Sequence, residues 1–139
     1  MKTLTPYLLR FALAAVVLTL VFRYFLSYGI EIQTKTIVIS SAIIYGISMF
    51  SAGLFFGKKD GEYLPIFDVG FRFHLATYVI HNGISLLWIW LGFGSKYEKL
   101  EISLMVATYW GIFLFLHLIF YLWARRNSIN NLDKEDLFE

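Results

Sequence analysis

Four stretches of the chain, roughly 7–28, 36–57, 70–94 and 102–124, are almost continuously apolar, and short polar clusters separate them. A helix needs about 20 residues to cross a hydrocarbon core of ~30 Å, and each stretch reaches that length. The pattern predicts an all-α polytopic membrane protein: a four-helix transmembrane domain over 1–124, an interfacial or cytoplasmic loop at 57–70 and a polar tail at 125–139. The connections at 29–35 and 95–101 are short, so each joins an antiparallel pair, giving two hairpins.

Composition strengthens this picture. Of the 139 residues 58% are hydrophobic, more than a soluble domain of this size could bury. With 16% charged residues and two prolines, the chain does not have the composition of a disordered one. The first stretch differs from a cleavable signal, whose apolar part runs about 7–15 residues; here Arg23 follows it and no small-x-small site is evident. The absence of cysteine excludes disulfides, thiolate metal sites and a cysteine nucleophile. A net charge of +2 does not point to nucleic acid. The lipid bilayer is the expected surrounding, in a bacterium the inner membrane.

Lys and Arg set the expected orientation. With the N-terminus inside, the inner side holds Lys2, Arg10, Lys58, Lys59, Arg72, Arg125, Arg126 and Lys134, against Arg23, Lys35, Lys96 and Lys99 outside. Eight against four places both termini in the cytoplasm. Tyr28, Trp88, Trp90 and Trp123 fall near the expected interfaces.

The two hairpins echo one another. "RFALA" at 10–14 returns as "RFHLA" at 72–76, and "YGISMF" at 45–50 returns as "WGIFLF" at 110–115. Helices 1 and 3 run the same way, so this would be a parallel repeat about an axis along the membrane normal. In layout the chain resembles the GtrA-like proteins, a resemblance that would imply movement of lipid-linked sugars. That family's asparagine motifs at the ends of helices 2 and 4 are missing, where this chain reads "MFSAGLFFGKK" and "FLHLIFYLWARR". The resemblance covers layout alone and does not assign the chain to the family.

Candidate chemistry concentrates on helix 3. His74, Thr77, Tyr78, His81, Asn82 and Ser85 share one face at helical spacing, and Phe73, Leu75, Val79, Ile80, Leu86 and Leu87 take the other. Helix 2 offers a stripe of Ser41, Tyr45 and Ser48; helix 4 offers Ser103, Trp110, His117 and Tyr121. Small residues four apart, Ala42/Gly46, Gly53/Gly57 and Ala107/Gly111, suit close packing of helices. Helix 1 is the most uniformly apolar and divides between packing and lipid. By the 1.5 Å rise, His74 lies about 5 Å, His117 about 10 Å and His81 about 15 Å from the cytoplasmic ends of their helices. With helices 3 and 4 adjacent, the three histidines would line one inward-facing cleft, with Asp68 and Arg72 at its mouth.

Several functions fit such a face. The plainest is interhelical glue, worth ~0.6–2 kcal/mol per contact. A path for a small solute, ion or proton fits the continuity of the stripe, because histidine titrates near neutral pH and polar groups are costly against lipid. All ten acidic residues fall in loops, ends or tail by this reading, which speaks against a carboxylate-driven antiporter. A lesser alternative is haem b held by His117 with His74 or His81. Zinc is not indicated without a carboxylate at depth, and no hydrolase or phosphate-binding motif is present. The expectation is a non-enzymatic membrane protein without cofactor or metal, acting in transport or permeation. The alternative is an accessory or anchoring subunit whose 57–70 loop and tail bind a cytoplasmic partner. Either way, self-association or membership of a larger complex is expected.

Overall fold

The computed structural model describes residues 4–62 and 64–130, and they form four helices: α1 (Pro6–Glu31), α2 (Lys35–Asp60), α3 (Ile66–Trp90) and α4 (Leu100–Asn130). Helices α1, α2 and α4 are long and apolar enough to cross a membrane. Helix α3 is of similar length, but Asp68, Arg72, His74, His81 and Asn82 dilute its apolar run.

Local chemistry fixes the ends. Thr5 caps α1 by accepting from the N–H of Leu8, and Pro6 sits at the first helical position, where its missing N–H costs nothing. The chain leaves α1 through Gln33, a non-glycine residue at φ 55°. Helix α3 starts directly after Pro65 and ends in a Schellman turn. There Gly92, at φ 78°, bonds back to Ile89 O while Phe93 N bonds to Trp88 O. The helices outrun the apolar stretches, because a helix need not stop where the hydrocarbon does. The middle connection is therefore Gly61–Pro65 rather than 57–70, and Ile66 opens α3. Tail residues 131–139 lie outside the described residues.

The helices stand in a row. Helix α1 packs against both α2 and α3, α2 touches α3 lightly, and α4 packs against α3 alone. Helix α1 is the centre of the molecule, a larger role than its apolar sequence implies. Leu8, Phe11, Ala15, Thr19, Arg23 and Ser27 recur every three or four residues along its buried face. The apolar core joins Leu8, Phe11 and Ala15 to Met49, Val69 and Phe73. At its heart the Phe11 and Phe73 rings lie 4.7 Å apart. Helix α2 buries only Met49 and Asp60.

Candidate functional site

His74, Tyr78 and His81 on the polar face of α3 bond to other helices, and α1 adds polar contacts of its own through Thr5, Thr19, Arg23 and Ser27. At the end of the molecule where the chain begins, Asp68 pairs with Arg72 at 2.7 Å, and Thr5 donates to Asp60 at 2.7 Å. Of the residues expected at the mouth of the cleft, Asp68 is buried at 4% exposure, and Asp60 beside this end is buried at 1%.

One turn further, α3 meets α4 through three aromatic nitrogen heterocycles. Nδ1 of His74 lies 2.9 Å from Nδ1 of His117, and the indole N–H of Trp110 donates to Nε2 of His74 at 2.7 Å. An indole can only donate, so Nε2 of His74 carries no proton. The His74 proton then sits on Nδ1 and is given to Nδ1 of His117, whose own proton is on Nε2. Phe71 meets the His117 ring edge-on and stacks on Tyr121. Above this cluster, the Tyr78 hydroxyl crosses to the backbone oxygen of Ala107 at 3.1 Å. A Cβ on Gly111 would stand 3.1 Å from that hydroxyl, so glycine is what admits it.

His81 turns the other way. Its Nδ1 is 2.9 Å from the Tyr45 hydroxyl, which is itself 3.0 Å from Thr19. The Phe22 ring stacks on Tyr45 at 4.5 Å. The Trp110 ring, 5.3 Å from His81, separates this cluster from the His74–His117 pair. The three histidines thus form two clusters sharing one tryptophan, not a single cleft. His74 and His117 touch directly, leaving no room for a porphyrin between them. No group of three metal-type ligands occurs among the described residues.

At the far end, Arg23 is paired with Glu98, both side chains almost wholly buried at 4% and 6% exposure. Glu98 also accepts from Ser95 N. Trp88 donates to Ser27 at 3.0 Å, and Ser95 and Lys96 both engage Glu31. Sequence reasoning placed Arg23 and every carboxylate in watery ends; instead Asp60, Asp68 and Glu98 are buried. The missed signal was the spacing Thr19–Arg23–Ser27, three polar residues four apart on an otherwise apolar helix.

Other candidates keep to their own helices. Thr77 bonds to Phe73 O, Ser41 to Val38 O, and Asn82 to Tyr78 O. Ser85 is buried at 5%, and its hydroxyl meets no protein partner. Ser41, Tyr45 and Ser48 border an apolar cavity of about 280 Å³ between α1 and α2, so of that stripe only Tyr45 reaches α3. The small residues divide similarly. Gly53 faces Phe11 and Gly57 faces Val69 at van der Waals distance, whereas Gly46 has open space before it and Ala42 is exposed. Among the described residues, nothing packs within 4 Å of a Cβ at Gly46, and Ala42 beside it is exposed.

Compared with known proteins, the chain matches no family model, no curated protein and no solved structure.

Proposed function

We propose that this chain is an integral membrane protein of the inner membrane that acts in transport, and that the α3–α4 seam is its route. The observation that carries this reading is the chemistry of the seam. Helix α4 rests on α3 alone, and His74, His117, Trp110 and Tyr78 make the polar bonds between them. In lipid, polar groups gather where they meet protein or water. A seam of this kind is closed while its groups bond one another and becomes a wetted path for an ion or small solute when the helices part.

The wider reading keeps both termini cytoplasmic and treats the hairpins as a parallel repeat. Phe11 and Phe73, from "RFALA" and "RFHLA", meet where an axis between α1 and α3 would pass. Tyr45 and Trp110, the first residues of the other echo, each bond a histidine of α3.

The test places cysteines at Tyr78 and Ala107 and bridges them with a short bifunctional thiol reagent in liposomes. Flux through the wild-type protein and the unbridged double variant, lost from the variant on bridging and regained on cleavage, supports the route. Flux indifferent to the bridge moves the route elsewhere, and no flux in any form removes the transport reading. The second reading, a non-catalytic accessory subunit, then stands. It is favoured by the open Ala42/Gly46 side of α2, a ready contact for a second copy or a larger membrane complex.

A further inference from the structure

The proton positions in the α3–α4 seam leave no free acceptor. Trp110 N–H points at Nε2 of His74, His74 N–H points at Nδ1 of His117, and the His117 proton sits on its remaining nitrogen. Each imidazole nitrogen thus either carries a proton or faces one. An added proton on Nε2 of His74 would set two donors against each other and break the bond to Trp110. An added proton on Nδ1 of His117 would do the same to the histidine pair. One added proton therefore removes at least one of the two bonds of this geometry, the one to Trp110 when the histidines share the proton.

We propose that Trp110, His74 and His117 form a proton-operated latch holding α4 on α3, closed while both imidazoles are neutral and released by one added proton. The sign follows directly: the bonds exist in the neutral form, so the latch is shut while both rings are neutral and opens as pH falls. On α3, Asp68 pairs with Arg72 through Oδ2, and its buried Oδ1 has no hydrogen-bond partner among the described residues. On α4, Trp110 and Tyr121 bring rings. Helix α2 presents the Tyr45 hydroxyl to His81 rather than to the pair. Helix α1 brings Arg23, which is paired with Glu98. Among the described residues α4 packs against no helix but α3, where Tyr78 and the Phe71–Tyr121 stack also join them.

This latch regulates the seam proposed above as the route, but its test reads a distance and needs no flux, so the two readings fail separately. The chain has no cysteine, and Val79 on α3 and Phe120 on α4 are exposed at 58% and 67%. Spin labels on Val79→Cys and Phe120→Cys, in the full-length protein in nanodiscs, report the α3–α4 separation by pulsed electron resonance. The expected result is one distance at pH 8, joined by a second, longer one as pH falls to 5. The double variant His74→Gln/His117→Asn, which cannot titrate, should hold one distribution at every pH. Trp110→Phe removes the opposing donor, so its midpoint should rise by about half a unit to one unit. A wild-type distribution unchanged between pH 8 and 5 overturns the latch, as does a double variant that responds like wild type. A Trp110→Phe midpoint that stays or falls overturns the role given to the indole.

Discussion

Arg23 and Glu98 stand 75 residues apart in the chain and were both expected in water, yet they form the most buried ion pair of the molecule. Removing one partner of such a pair strands the other, a loss of about 3–5 kcal/mol, whereas replacing both with apolar residues is often neutral. Glu98→Ala should therefore lower stability in detergent by that order, and Arg23→Leu/Glu98→Leu should recover most of it, as read by thermal melts. Equal losses in the single and double variants would mean that the pair itself, not the stranded charge, matters. At this scale the sequence was partly legible. The polar face of α3 could be read from its spacing. Their partners could not, because which ring His81 meets depends on a helix rotation that no local pattern encodes. Arg23 was misread because a charge eight residues from the end of a helix looks like a flanking anchor until its partner is known.

Single glycines test how the elements meet. Gly111 faces the Tyr78 hydroxyl and Gly46 faces open space. Gly111→Leu should overpack the α3–α4 seam and cost about 1–3 kcal/mol, while Gly46→Leu should leave the stability of a single chain unchanged. If Gly46→Leu instead lowers the mass of the purified particle, the open side of α2 is an assembly surface. Gly92 carries a different load, the left-handed turn that ends α3. Gly92→Ala should cost about 1–2 kcal/mol through backbone strain alone. The four helices were legible in the apolar runs, and their ends less so. The run at 70–94 starts later than α3 because Asp68 interrupts hydropathy without interrupting the helix, its Oδ2 held by Arg72 one turn on.

At the scale of the whole molecule, neighbours were harder to read than elements. The short connections gave the two hairpins, but the apolar sequence of α1 divided it between packing and lipid without naming its neighbours. It became central because alanine, threonine and serine on one face allow close approach on two sides. Reporter fusions after Gly61 and after Asn131 should report cytoplasm and one after Ser95 the outside, the arrangement the distribution of Lys and Arg requires. Mixed signals at every site would instead indicate chains inserted both ways.

The long reach from Arg23 to Glu98 also has a consequence in time. A ribosome adds roughly 5–20 residues per second, so the 75-residue interval between them keeps α1 waiting about 4–15 s for its counter-charge. In a chain that inserts as proposed, the unpaired guanidinium should draw α1 toward the watery surface during that wait, and the arrival of Glu98 should let the helix settle deeper. A nascent chain halted just before residue 98 should show α1 displaced outward, and one halted well beyond it should not.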